Sequence, residues 1–508
     1  MRTINKSILL IGMLLVGLQS RAFDIGQLSY SIRPDFPNAV NVSVNYDDEI
    51  VEAIIPETVS DGNITYTVVS MSGFLSCPNL EKIYIPKTIS IISPTVGNGS
   101  DKLHSIIVDD ENPDFASFGN VVYTKDLSSI ILCPYGITDL VLPDTFSSVP
   151  ENAFSGKKQL QTAELPETIR SIENSAFSGC SSLVTINFPE NLEKIGNSAF
   201  SGCSSLVTVS FPPTLQEIGY FAFSGCSQLS DEIVIPESVS KLGSQAFSYC
   251  KSLKSVRIEA TVEVLQDYLF AYCSSLESVE FKDDVKELGP GAFLSCSSLP
   301  YIFIPASVTK IWSDTFVRCS ALTDIDVALE NEIYSSEEGM ILSKDRTELI
   351  SWPCAQGKIK IPGFITYLGG AFYNNKLLSE VEIPASVTEI GSLTFCGCTS
   401  LKKIVMLSPI PPTAGLWWLS EHEMSGPMYV EIYVPAQSLE LYQETWPDLK
   451  KQLFAIPDSD VTCIENDTPS PLLVYSLDGK FVMRTNSREE LNSLSKGAYI
   501  INGKKVVL

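Results

Sequence analysis

Cysteine is the side chain with the widest chemical range in this 508-residue sequence, and there are 13 of them. Nine recur at one position of a repeating pattern: Cys77, Cys180, Cys203, Cys226, Cys250, Cys273, Cys296, Cys319 and Cys398. Cys133, Cys354, Cys396 and Cys463 fall outside it. Thiols so placed could pair as disulfides, hold a metal, or simply pack. Export to an oxidising compartment favours pairing. A residue that recurs once per repeat points the same way each time, however, and a small apolar thiol suits a narrow column. Lys157, Asn375 and Ser100 occupy that position elsewhere, so a pairing partner is not obligatory. Buried free thiols are the expectation, with some disulfides left open because neighbouring repeats bring Cα atoms within bridging range. Zinc needs a tighter set of ligands. Cys396-x-Cys398 is the only close pair, and His104 and His422 are the only imidazoles, so no metal and no cofactor are expected.

Acid/base chemistry has little to build on. No HExxH, G-x-S-x-G, P-loop or dinucleotide fingerprint is present. Carboxylate pairs such as Asp109-Asp110 and Asp283-Asp284 read as solvated surface, a weak calcium site being their alternative use. An enzyme is not expected.

The elements that position these residues are set by a repeat. Ala176 to Leu183 (AFSGCSSL) recurs unchanged 23 residues later at Ala199 to Leu206. One unit runs Leu183, Ile186, Phe188, Pro189, Leu192, Ile195, Gly196, Ala199, Phe200, Cys203, and the next opens at Leu206. The frame continues from Leu206, Leu229, Leu253, Leu276 and Leu299, with further units at Leu160 and Leu378; the Leu229 unit carries one extra residue. A unit of this length carrying L-x-x-I-x-F is one coil of a solenoid, a short strand and a return limb. Such a coil cannot bury its own apolar edge. Stacking at about 4.8 Å aligns equivalent Leu, Ile and Phe residues into apolar columns. The expected fold is a mainly β repeat solenoid.

These residues resemble the BspA-like leucine-rich repeat family, found on the surfaces of bacteria, notably Bacteroidetes, and of some protozoa. The resemblance spans Phe74 to Met406 and rests on Pro after the strand, Ala-Phe, and Cys three residues later recurring together. It implies surface display and ligand binding, with adhesion the usual assignment.

Along the chain, residues 1–22 have a basic start (Arg2, Lys6), an apolar run from Ile8 to Leu18 and a Ser20-Arg21-Ala22 end, which reads as a cleaved secretory signal. An uncleaved anchor is the alternative; after cleavage no direct membrane insertion is expected. Residues 23–72 alternate in strand fashion and form an amino-terminal β cap. The solenoid follows at 73–406. It is broken by two β-hairpin inserts, about 109–136 and 328–356, each turning at Lys-Asp (Lys125-Asp126, Lys344-Asp345). Residues 407–456 supply a strand (Val430 to Pro435), a short helix (Ser438 to Trp446) and large apolar residues for a closing cap. A linker is expected at 457–471 and a small β tail at 472–508. That tail resembles the C-terminal sorting domain of the Bacteroidetes type IX secretion pathway, through Tyr475, Gly479, Gly497, Tyr499 and Ile500.

The formal charge is −25, and removing Arg2, Lys6 and Arg21 with the signal leaves 32 basic against 60 acidic residues, or −28. A field of that sign repels phosphate backbones, so nucleic acid is not an expected partner. A protein or glycan ligand is. In the L-x-x-I-x-F strand the second and fourth offsets point outward, because side chains alternate across a strand. Most such positions carry small or polar residues. Tyr301 and Phe303 instead put two aromatics beside Arg257 and Glu280, a mixture that suits an interface anchor unless the insert after Val327 folds back over them. Trp417 and Trp418 would serve either the cap or, as a pair, stacking on a sugar ring.

Overall fold

A computed structural model describes residues 22–44, 47–282, 284–422, 425–457 and four strands of the tail. The expected secretory signal up to residue 21, the linker from residue 458, Asp283 and Cys463 lie outside the described residues. Two compact units divide after Leu253.

The first unit opens with a sheet. Ala22–Ile25, Leu28–Ile32 and Ala39–Ser43 pair antiparallel, and Ala39–Ser43 then runs parallel to Thr65–Met71. Thr65–Met71 also pairs in parallel with Ile91–Ile92 of the first coil. The cap therefore enters the coil ladder by backbone pairing, and its Val40, Val42 and Val68 join Phe74, Leu80 and Ile83 in one core.

Most coils contribute two strands rather than one, the coil opening at Leu206 keeping only the second, Glu217–Ile218. Thr162–Glu164 pairs with Thr185–Asn187, and Ser171–Ile172 with Lys194–Ile195, all parallel and offset by 23 residues in sequence (Ala163↔Ile186, Ile172↔Ile195). Proline has no N–H to offer the ladder, so it ends the first strand. Its carbonyl then accepts the N–H three residues on, as in Leu192 to Pro189 (3.0 Å) and Leu215 to Pro212 (3.1 Å), which swings the chain into the second strand.

The Ala-Phe segment makes a third line of coil-to-coil bonds: the N–H of Phe177 donates to Ala199, that of Phe200 to Ala222 and that of Phe223 to Ala246, each at 2.8 Å. Two residues per coil hold positive φ there, such as Ser198 (54°) and Gly202 (74°). The phenylalanines stack parallel, Phe177 on Phe200 at 5.3 Å and Phe200 on Phe223 at 5.2 Å. The cysteines do more than fill space. Cys180, Cys203 and Cys226 are buried and donate Sγ–H to the carbonyls of Phe154, Phe177 and Phe200 of the preceding coil (3.1, 3.1 and 3.3 Å). None of the 12 described cysteines is in a disulfide.

The insert in this unit has three strands, one more than the sequence led us to expect: Phe115–Phe118, Val121–Thr124 and Ile130–Leu132. The additional turn is Gly119-Asn120, both with positive φ (52° and 66°), the geometry a two-residue hairpin loop needs. The second turn falls at Lys125-Asp126, as expected.

The second unit repeats the same chemistry. Phe270, Phe293 and Phe316 stack at 5.9 and 5.7 Å. Its insert is again three-stranded (Tyr334–Glu337, Met340–Ser343, Glu348–Ser351), turning at Glu338-Gly339 and at Lys344-Asp345. A parallel sheet of Gly357–Lys360, Leu378–Ile383, Lys403–Met406, Glu431–Val434 and Leu453–Ala455 closes it. The helix Leu439–Thr445 packs Tyr442 against Trp446, and both join the core with Trp418 and Leu449. In the tail, Leu472–Ser476, Phe481–Thr485, Ala498–Ile501 and Lys504–Val507 form an antiparallel sheet. Tyr475, Tyr499 and Ile500 lie on its strands, whereas Gly479 and Gly497 are outside the described residues.

Candidate binding surfaces

On the outward side of the second unit, parallel register sets Arg257 beside Glu280. Arg257 also pairs with Glu259, so its charge is neutralised locally by a residue of its own limb. On the next strand pair, Tyr301 lies beside Asp324 and Phe303 beside Asp326. Both aromatics are half-buried, and the Tyr301 hydroxyl is enclosed. The following insert packs its first strand against Asp324–Val327, where the Ser336 hydroxyl accepts the Val327 N–H at 3.0 Å. The expected anchor pair is thus half-covered rather than openly presented.

That enclosure raises one acid. Burial pushes the Asp326 carboxyl up to about 6, and Asp324, two residues along the same face, adds to the rise. An unfolded aspartate titrates near 3.9, so from about pH 4 to 6 the folded chain holds a proton that the unfolded chain has released. Asp326 therefore favours the fold on the acidic side, and that benefit is lost as pH rises through 6. Asp326→Asn is expected to raise stability at about pH 7 by about 2 kcal/mol, after discounting for the partial exposure of the group, and to change it little near pH 4. Urea unfolding at the two pH values checks this; an equal effect at both would show that the charge is not the cause.

Trp417 and Trp418 do not form a platform. Trp418 is 7% exposed, with its ring against Phe395 (6.2 Å) and Trp446 (5.2 Å), while Trp417 is 40% exposed. Both lie in a turn where Trp417 holds a positive φ of 51°, and only Trp417 is left outside.

Three exposed aromatics of the first unit's coils cluster on the turn side. Tyr220, Phe221 and Tyr249 are 55%, 39% and 43% exposed, on two successive coils. The preceding coil carries Asn197 and Ser198 where this one carries Tyr220 and Phe221, and Gly225 stands where the next has Tyr249. Aligning the coils at the Ala-Phe turn would have shown this substitution of rings for small residues; the strand positions drew attention instead.

Among the described residues, the acid/base and metal candidates do not gather into a site. The Asp109 carboxylate accepts the Glu111 N–H (2.8 Å) as part of a turn, and Cys398 donates to the Phe372 carbonyl (2.9 Å). Among the described residues, no three His, Cys, Asp or Glu side chains gather as a metal would require, and no helix is long and apolar enough to cross a membrane.

With the two-strand coil, the Ala-Phe turn and the thiol-to-carbonyl bond in view, comparison with known families is direct. The BspA type leucine rich repeat region matches residues 67–134, 127–253, 230–338 and 353–411, in six copies. The chain belongs to that family. BspA type repeats thus account for most of the coils in both units, the cap strands before residue 67 and everything after 411 lying beyond the match. Solved structures similar to this BspA type chain include a leucine rich cell surface protein from Faecalibacterium prausnitzii, 24% identical, covering 76% of this chain and 94% of the other with a TM-score of 0.40. A leucine-rich repeat protein from Bacteroides ovatus is 21% identical, covers 86% and 100% respectively, and scores 0.42. The pneumococcal vaccine antigen PcpA is 14% identical, covers 86% and 97%, and scores 0.29. No curated protein matches the chain.

Proposed function

We propose that this BspA type repeat protein is exported, displayed at the cell surface or released, and binds a host or microbial macromolecule in an adhesin-like role without chemistry of its own. The observation that carries this is the exposed turn-side cluster of Tyr220, Phe221 and Tyr249, three rings where neighbouring coils have Asn, Ser and Gly. Large exposed aromatics supply contact area at low entropic cost, which is why they anchor protein interfaces. A stiff stack of coils holds them in fixed relation. The reading with glycan as the ligand retains only Trp417 of its expected pair, so protein is the better-supported ligand class.

Two measurements test this. Protease shaving of intact host cells should release peptides from the coils; protection until the envelope is broken would replace display with a periplasmic scaffolding role. The purified chain should bind immobilised matrix proteins, and the triple variant Tyr220→Asn, Phe221→Ser, Tyr249→Gly should weaken that binding at least about tenfold. Each replacement is the residue an adjacent coil already carries, so the fold tolerates it. Unchanged binding by the variant would remove the turn side as the site.

A further inference from the structure

In the second unit the phenylalanine column is broken between Phe316 and Phe372 by the insert-bearing coil. There Leu349 holds the second-strand position beside Leu368. The chain then passes through Ser351, Trp352, Pro353, Cys354 and Ala355 to the next strand at Gly357, with no Ala-Phe turn. The turns on either side consequently meet across a gap: a Cβ on Gly370 would lie 2.7 Å from that of Ser313. What remains open is a cavity of about 210 Å³. Trp352, Tyr373 and Leu377 line it with apolar surface over the buried rings of Phe316 and Phe372, and Arg318 and Lys376 line it with charge.

The first unit has the same shortcut after its own insert, through Cys133, Pro134, Tyr135 and Gly136, but there the chain plugs the gap itself. Lys157, at the position most coils give to cysteine, places Nζ 4.8 Å over the Tyr135 ring and donates to the Cys133 carbonyl at 2.9 Å. Neither side chain is kept in the second unit. Asn375 stands at the lysine position and donates to the Ala355 carbonyl (2.8 Å), and Cys354, at the tyrosine position, lies against Gly339 outside the cavity lining.

The electrostatics are unusual for a chain of charge −25: no Asp or Glu lines the cavity, while two cations do. Lys376, whose Nζ donates to the Gly397 carbonyl, is held below its ordinary range by burial and then by the nearby Arg318 guanidinium, so the two positive groups repel one another. An anion placed between them relieves that repulsion and gains charge-assisted hydrogen bonds.

We propose that this cavity binds a carboxylate carried on an apolar body of one-ring size, the body lying against Trp352, Tyr373 and Leu377 and the carboxylate between Arg318 and Lys376. Pockets of this kind are mostly apolar with a few polar groups that fix orientation. A free aromatic acid and the C-terminal residue of a partner peptide share this chemistry. The inference is independent of the turn-side cluster proposed above, which lies in the other unit.

Titration calorimetry on the full chain tests it with 3-phenylpropionate, N-acetylphenylalanine, and a peptide ending in Phe as the acid or as the amide. Saturable binding that weakens at least about tenfold in Arg318→Gln, and likewise in Trp352→Ala, is the expected result. Both side chains line the cavity, and Arg318 is an exposed side chain whose replacement leaves the core untouched. Preference for 3-phenylpropionate assigns a free acid, and preference for the acid-ended peptide assigns a C-terminus. Equal binding of acid and amide, binding unaffected by Trp352→Ala or by Arg318→Gln, or no heat with any of the probes would overturn the site.

Discussion

Asn331→Ala is expected to destabilise the second unit by about 3–5 kcal/mol, a large effect for one polar side chain. Asn331 is fully buried at the entrance to the insert. Its Nδ2 donates to the carbonyls of Pro305 (3.0 Å) and Val308 (2.8 Å) in the preceding coil, and its Oδ1 accepts the N–H groups of Ile333 (2.9 Å) and Tyr334 (2.7 Å). One amide thus bonds four backbone groups, tying the insert to the coil below it. Alanine removes all four bonds; the Pro305 carbonyl keeps the Val308 N–H (3.3 Å), but the buried Val308 carbonyl and Tyr334 N–H lose this partner, and the cost is their desolvation rather than the modest net value of a hydrogen bond. Asn112 makes the same four contacts in the first unit, to Pro86, Ile89, Asp114 and Phe115, so Asn112→Ala should behave alike. Urea unfolding followed by tryptophan fluorescence and by circular dichroism measures the loss. A change below about 1 kcal/mol would mean that water enters and replaces the amide.

Phe200→Ala is expected to remove about 3–5 kcal/mol. The ring is fully buried, stacked between Phe177 and Phe223, with Phe188 tilted against it at 5.6 Å. Collapse into the space is hindered because backbone bonds on either side, Phe177 to Ala199 and Phe200 to Ala222, hold the coils at their spacing. Phe200→Leu, which leaves a much smaller void, should retain more than half of the lost stability. In a stack where each coil touches only its neighbours, the damage should also be local. Hydrogen exchange should quicken in the coils carrying Phe177, Phe200 and Phe223 before the cap strand Ala39–Ser43 responds. Uniform loss of protection would show that this unit opens as a whole.

Much of this architecture was legible because one residue type marks one place in every coil. Leu, Ile and Phe announced columns, Pro announced the end of a strand, and Cys announced a narrow site. The thiol's second task, donating to the phenylalanine carbonyl below, was not legible, since spacing alone does not say what lies across the coil boundary. Gly119-Asn120 could have been read as a turn from its composition, but the Lys-Asp turn explained the same apolar runs with one strand fewer. Asn112 and Asn331 occur at matching places in the two inserts, and burial was the missing fact; asparagine on paper is a surface residue. The binding candidates were the least legible. Tyr301 and Phe303 were placed by strand alternation, which gives direction and omits what packs on top. The notch beside Trp352 arises from residues that are not there, a shortened return limb, and no individual position signals it.

The pairing of each residue with its counterpart 23 positions away also bears on how such a chain changes over generations. Two adjacent coding copies as alike as those for Ala176–Leu183 and Ala199–Leu206 are natural partners for unequal crossing-over. The product gains or loses one entire coil, and every remaining side chain keeps the neighbours it had. Length is therefore a heritable variable that selection can adjust separately from packing, and variation between strains is expected to appear first as coil number.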